Sequence, residues 1–292
     1  MTHVRSILAA TDFSTGSRHA AERAAMLGTT LAMQRGALLH VLEQSWLDSL
    51  KQFMNSPAEV KHGIFDDATR SLAQLAGEVH QSSGFFLEPH VSTGGTLDVI
   101  VEAASEYDLL VIGAHGRHRV REVALGTTSQ RLLGKTTRSV LIVKNRPLRS
   151  YERVLVAVDF SSNSRKAMDL GPTIAPGSLF NMVHVYEPIF ERQMISAGAS
   201  DKTIAEYRAK TRADAEMQMN TCLEDAKAGA NRIIRQVEYG HPSAKLPEIA
   251  DKWDPDLIVV GKHGRSRIEE FLLGSVTIHM LSQSRCDVLV AQ

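Results

Sequence analysis

The chain of 292 residues is written twice. "VRSILAATDFSTGSRHA" near its start returns as "YERVLVAVDFSSNSRKA", "GALLHVLEQ" as "SLFNMVHVYEP", and "DLLVIGAHG" as "DLIVVGKHG". Asp12 reappears as Asp159, an offset of 147, while Gly113 reappears as Gly261 and Gly126 as Gly274, offsets of 148. Solenoid repeats recur every 20 to about 50 residues, so a near-constant offset this long describes two tandem domains. Whatever fold one half adopts, the other must be able to adopt. The expected domains are 1–146 and 150–292, joined through the polar, proline-containing stretch "KNRPLRSYE".

Within each half, short runs rich in Val, Ile and Leu alternate with longer segments of helical spacing. In the first half the expected strands are Ser6–Ala10, Ala37–Leu42, Phe86–Val91, Asp108–Gly113 and Ser139–Val143. The expected helices run from Ser14 to Arg35, Pro57 to His80, Gly95 to Tyr107 and Gly126 to Leu133. Strands that are apolar throughout and separated by helices indicate a parallel sheet covered on both faces. The expected class is therefore α/β, with two five-stranded, doubly wound, Rossmann-like domains. Such sheets bind ligands beyond the carboxyl ends of their strands, at a switch point. Gly171-Pro172 is expected to kink or shorten the first helix of the second half, because proline lacks an amide hydrogen and crowds the preceding turn.

Composition narrows the function. Formal net charge is zero, so no basic excess attracts nucleic acid or an anionic membrane. Two distant cysteines, Cys222 and Cys286, argue against a disulfide framework and suit a reducing compartment. No apolar run approaches the roughly 18 residues of a membrane helix. A cytoplasmic protein is expected, without nucleic-acid or membrane partners.

The chemistry-bearing pattern is "GAHGRHRVREVALGTT", which follows the fourth strand of its half and returns as "GKHGRSRIEEFLLGSV". Gly113 to Gly116 should lie at the carboxyl end of the sheet, where glycine permits close backbone approach. Gly126, Thr127 and Thr128 open the last helix, whose first turn presents free amides and the positive end of the dipole to an anion. Gly261, Gly264, Gly274, Ser275 and Val276 repeat the arrangement, and His115 and His263 occupy matching places. Asp12 and Asp159 follow the first strands at the same edge. Each carboxylate could meet a ribose hydroxyl or a metal, or cap the next helix, and spacing leaves both roles open. Ser14 and Ser161 suit phosphate donation or N-capping equally.

Other motifs fail on context. "GKT" at Gly134 to Thr136 lacks the upstream glycine of a P-loop and lies between a helix and a strand, so Gly134 reads as a helix stop. No G-x-G-x-x-G, zinc-ligand spacing or nucleophile elbow is present. His40 and His184, inside apolar strands, read as core histidines, and both cysteines as structural. Trp46, Phe53, Phe65, Phe190 and Met194 read as core in preference to an exposed working surface.

Taken together, G-x-x-G, nine residues, then G-[ST] resembles the ATP-binding signature of the universal stress protein family. Gly113, Gly116, Gly126 and Thr127 match it in one half, and Gly261, Gly264, Gly274 and Ser275 in the other. "AATDFS", "VAVDFS", "LLHVLE", "MVHVYEP" and the terminal "VLIVK" and "VLVAQ" resemble the family's strands, so the likeness covers the chain twice. The resemblance implies a tandem member whose domains pack as a pseudo-dimer through their last strands; exposed terminal strands separately suggest a homodimer through edge strands, because an unpaired edge invites pairing. It implies ATP or another adenine nucleotide as ligand, with a divalent metal such as magnesium. Asp12 would lie near the ribose, Val41 beside adenine, Ile112 to Gly116 along the nucleotide and Gly126 to Thr128 at phosphate. The second-half counterparts are Asp159, Val185, Val260 to Gly264, and Gly274 to Val276. Arg119 and Arg267 stand where the family often has glycine.

The expected function is an ATP-binding, stress-response regulatory protein with an unidentified protein partner. An interaction or chaperone-like module with vestigial sites is the alternative, and a slow ATPase ranks last because no base or water-positioning residue is evident.

Overall fold

The structure, a computed structural model, describes residues 4–45, 57–116, 126–225, 232–264 and 273–292. The first half comprises β1 (Ser6–Ala10), α1 (Thr15–Thr30), β2 (Arg35–Glu43), α2 (Pro57–Ser83), β3 (Glu88–Gly94), α3 (Thr96–Ala104), β4 (Leu109–Gly113), α4 (Thr127–Lys135) and β5 (Ser139–Val143). The second comprises β6 (Arg153–Ala157), α5 (Ser162–Ile174), β7 (Leu179–Tyr186), α6 (Glu191–Ser196), α7 (Asp201–Asp225), β8 (Arg232–Tyr239), α8 (Pro242–Trp253), β9 (Leu257–Gly261), α9 (Ser275–Gln283) and β10 (Asp287–Ala291).

The strands form one sheet in the order β3-β2-β1-β4-β5-β10-β9-β6-β7-β8. Pairing is parallel within each half, and the two last strands meet antiparallel, with Ile142 opposite Val288, Leu141 opposite Leu289 and Val140 opposite Val290. These six side chains are fully buried. Each contributes about 1.5–3 kcal/mol by leaving water. The alternation within a strand feeds two cores: Ile7 and Ala9 join one face, Leu8 and Ala10 the other, and both cores continue across the seam. The last strands are thus consumed inside the chain, and the free edges of the sheet are β3 and β8.

A buried polar cluster fastens the seam. The Tyr151 hydroxyl donates to Asp287 Oδ2 at 2.6 Å, and the Lys144 amide donates to Asp287 Oδ1 at 2.9 Å. Arg23 Nε lies 3.3 Å from Asp287 Oδ2, and the Arg23 guanidinium stacks 4.0 Å from the Tyr151 ring centroid. Burial pushes the Asp287 carboxyl above its ordinary range against the opposing pull of Arg23. Burial likewise pushes the Tyr151 phenol well up.

Several elements depart from the sequence expectation. The first helix ends at Thr30 rather than Arg35 because Ala32 turns to φ 46° and Gln34 and Arg35 hand their amides to Arg5 O. The third strand is Glu88–Gly94, not Phe86–Val91: its register follows β2, pairing Ala37 with Glu88 and Glu43 with Gly94, so polar residues join an edge strand. Gly134 lies within α4, which ends at Lys135 with Thr136 as its C-cap. Helix α5 continues through Pro172 but stops at Ile174, giving 13 residues where α1 has 16. Phe65 and Phe190 are exposed, not core, and Met194 is half-buried; Trp46, Phe53, Arg119 and Arg267 lie outside the described residues.

Candidate functional site at the two switch points

In each half the chain leaves the first strand on one side and returns on the other, so β1/β4 and β6/β9 are switch points. At the carboxyl end of β1 the chain turns sharply. Phe13 takes φ 62° and its counterpart Phe160 φ 65°, a left-handed backbone that bulky residues avoid and that costs of order 1–3 kcal/mol. Each ring is held against a histidine, Phe13 on His40 and Phe160 on His184, with centroids 4.3 Å apart. The histidines are fixed in turn by Nδ1 bonds to Thr11 O at 2.8 Å and Val158 O at 2.7 Å. A carbonyl accepts there, so each imidazole carries its proton on Nδ1.

That turn sets the aspartates. Asp12 Oδ1 accepts from Ser14 N at 3.0 Å, and Asp159 Oδ1 from Ser161 N at 2.9 Å. The helix caps are Ser14 and Ser161 themselves, whose hydroxyls accept from Ser17 N and Ser164 N. The serines therefore take the capping role. The second oxygen of each aspartate faces the glycine loop: a Cβ on Gly116 would lie 2.7 Å from Asp12 Oδ2, and one on Gly264 2.8 Å from Asp159 Oδ2.

Gly113 and Gly261 serve a different approach. A Cβ on Gly113 would meet Gly16 C and O at 2.6 and 2.7 Å, and one on Gly261 would meet Asn163 at 2.8–3.0 Å. Here glycine admits the start of the first helix against the strand end, which is packing and not ligand contact. The loop then bonds back to the last helix: Gly126 N donates to Ala114 O, and Gly274 N to Lys262 O, both at 3.0 Å. Ser129 Oγ donates to Gly113 O at 3.2 Å, and Thr277 Oγ1 to Gly261 O at 2.7 Å. Helices α4 and α9 begin at Gly126 and Gly274 with no side-chain cap, unlike α1 and α5. Their first-turn amides are the ones a helix leaves unpaired, and residues of both helix starts line the cavities.

These parts enclose two cavities. The first, about 360 Å³, is lined by Asp12, Val41, Ile112, Gly113, His115, Gly116, Gly126 and Thr128 among others. The second, about 170 Å³, is lined by Asp159, Val185, Val260, Gly261, His263, Gly264, Gly274, Ser275 and Val276. Of the residues singled out in the sequence for these sites, Thr127, Ser14, Ser161 and, within the two glycine spans, Ala114 and Lys262 line neither cavity; the others line one of the two. Sequence reading missed Thr96, Ile100 and Leu132 in the first cavity and Pro242, Leu246 and Leu273 in the second, all placed by α3, α8 or the final helix region. In the first half Glu43 accepts from Thr96 N at 2.9 Å and from its hydroxyl, closing the start of α3. Pro242, at the matching helix start, has neither donor. His115 Nε2 is buried in the first cavity and has no hydrogen-bond partner among the described residues, an unpaired polar atom of the kind a ligand would satisfy.

A larger cavity, about 560 Å³, lies under the linker between Arg149, Arg285 and Asp251. It mixes charges of both signs and contains neither a glycine loop nor a helix start, so volume alone does not select it.

The sequence model of the Universal stress protein family matches residues 3–144 and again 150–292. A Staphylococcus haemolyticus protein named for the same family is 28% identical over 145 residues, which span 49% of this chain and 86% of that protein. The crystal structure of a universal stress protein from Archaeoglobus fulgidus superposes with a TM-score of 0.71 at 20% identity, covering 99% of this chain and 98% of that one. A functionally unknown protein from Pseudomonas aeruginosa superposes at 0.62, with 18% identity over 99% and 92% of the two chains. The duplicated sequence, the mirrored sheet and the two family matches lead to one conclusion: this chain belongs to the universal stress protein family and carries its domain twice.

Proposed function

We propose that the chain is an adenine-nucleotide-binding regulatory protein whose working site is the cavity of the first half. The observation that carries this reading is the convergence there of four features: an aspartate held at a strained turn, a glycine loop, an uncapped helix start and the unpartnered His115 Nε2. Apolar Val41, Ile112 and Leu132 suit the faces of a purine, while the Gly126–Thr128 helix start suits phosphate. Size separates the halves. Small-molecule sites span about 300–1,000 Å³. The first cavity, about 360 Å³, lies within that range and the second, about 170 Å³, below it.

A divalent metal such as magnesium would arrive with the phosphates. Among the described residues each site offers one carboxylate, Asp12 or Asp159, and magnesium is commonly held by one or two carboxylates with phosphate and water completing its shell. Regulation would follow from an interaction surface that differs between the nucleotide-bound and the free chain. A specific observation favours a second reading beside this one. Ile189, Phe190 and Ile195 are exposed at the carboxyl end of β7, as an interaction surface would be.

The test is calorimetric titration of nucleotide-free protein with Mg-ATP, repeated on Gly116→Val and Gly264→Val. One site per chain, lost in Gly116→Val and kept in Gly264→Val, is expected. Absence of binding at millimolar ATP by folded protein would move the assignment to the interaction module.

A further inference from the structure

Two lysines, Lys262 buried and Lys144 half-buried, reach across the seam. Lys262 stands between Gly261 and His263, two residues that line the second cavity, and its backbone is tied to that half: its amide donates to Ala291 O at 2.9 Å and its carbonyl accepts from Gly274 N at 3.0 Å. Its side chain leaves that half. Nζ donates to Gly134 O and Thr136 O, both at 3.3 Å, at the carboxyl end of α4, and to Gln292 Oε1 at 3.0 Å. Only 8% of the residue is exposed.

The first half answers from another position. Lys144, following β5, donates through Nζ to Leu281 O at 2.8 Å, Ser284 O at 2.5 Å and Ser284 Oγ at 3.0 Å, at the carboxyl end of α9. By the 148-residue offset, Lys262 corresponds to Ala114 and Lys144 to Gln292. The duplication therefore does not copy this contact. Two unrelated positions supply the same thing, an ammonium on the last carbonyls of the opposite half's final helix. A cation there pairs carbonyls that the helix leaves unsatisfied and matches the negative end of its dipole.

Each helix so held opens a candidate phosphate cradle at its other end. Helix α4 has nine residues and is about 13 Å long, so the clamp and the cradle are the two ends of one short rod. We propose that Lys262 and Lys144 are positioning residues, each setting the phosphate cradle of the opposite half. The inference rests on the nucleotide reading above. It means that neither half holds a complete site by itself. Because Lys262 stands between Gly261 and His263, which line the second cavity, while its ammonium grips the helix of the first, the geometry of one cavity bears on the other.

The experiment uses the full chain carrying Gly264→Val, which blocks the second cradle, with and without Lys262→Met. Mg-ATP affinity is read by calorimetry and backbone exchange by hydrogen–deuterium labelling. Lys262→Met should weaken binding roughly tenfold and speed exchange in α4 while leaving α9 protected. Lys262→Arg, which keeps a donor and the charge, should restore most of the affinity. Unchanged affinity and unchanged α4 exchange in Lys262→Met would overturn the clamp and leave the nucleotide reading standing. A uniform rise in exchange across the sheet would mark the lysine as merely structural and would also overturn it. A Gly264→Val parent that fails to bind while the native chain binds would refute the first-half site, and the clamp with it.

Discussion

Gly113→Ala and Gly116→Ala add the same methyl group three residues apart, and the structure assigns them opposite consequences. At Gly113 the new carbon would stand 2.6 Å from the Gly16 carbonyl carbon, and an ordinary contact begins near 3.4 Å, so α1 must retreat from β4 by about 0.8 Å. Helix α1 has little room to do so, because Ala20, Ala21, Ala24 and Ala25 on its inner face are completely buried. Overpacking of this kind costs about 1–3 kcal/mol. A chain of 292 residues melting as one sheet, at about 2.1 cal/mol/K per residue, loses about 2–5 °C of Tm for that cost. At Gly116 the nearest atom is Asp12 Oδ2, 2.7 Å away, the end of a side chain that can swing aside. Stability should then fall by less than about 1 kcal/mol, while the carboxylate leaves its place at the cavity and ATP affinity drops. Scanning calorimetry and Mg-ATP titration on both variants decide the matter. Equal losses of Tm, or a neutral Gly113→Ala, would refute the division of the glycines into a packing pair and a site pair.

Other outcomes follow from named contacts. Ser14→Ala and Ser161→Ala each remove an N-cap and should each cost about 1 kcal/mol in urea unfolding, additively because the helices lie in different halves. Tyr151→Phe removes the 2.6 Å bond to buried Asp287 and should cost about 1.5–3 kcal/mol, with the m-value unchanged. Stability should also vary with pH in the alkaline range. Burial pushes Lys144 down to about 8 from 10.5, so above pH 8 the unfolded chain holds the extra proton and stability rises with pH. Burial pushes Cys286 up to about 12 from 9.0, so the folded chain holds the extra proton there and stability falls between those values. Chemical unfolding should therefore show a climb from pH 8 to 9, a short plateau, and a fall above about 10, where the Tyr151 phenol also keeps its proton in the folded chain; Lys144→Met should abolish the climb.

The architecture was legible in the sequence because the strands of a doubly covered parallel sheet are apolar on both faces, and β1, β4 and β5 announce themselves as such. Strand β3 was misplaced because an edge strand answers to one neighbour, and the run that looked most apolar, around Phe86, is only partly inside. The glycine loops were legible as loops, but not which glycine meets what. Gly113 and Gly116 look alike in the sequence, and only the approach of Gly16 to one and of Asp12 to the other separates them. The open choice for Asp12 and Asp159 was resolved locally: Ser14 and Ser161 take the helix caps, and the aspartates tie the preceding turn. Contacts between residues 126 to 143 positions apart, such as Lys262 with Thr136 or Lys144 with Asp287, carry no local signature at all. They arise because two sheets were joined edge to edge, and no periodicity records which side chains then face each other.

That antiparallel junction of β5 and β10 also changes the kinetics of assembly. Two separate copies of a single-domain chain would find each other at a rate set by their concentration and would part on dilution. Here the second copy is tethered, so pairing is a first-order folding step, and the ratio of the two halves is fixed at synthesis. With each half always assured of its neighbour, selection need not preserve identical sites. One cavity can remain roomy while its twin narrows, and the pair still folds as a unit.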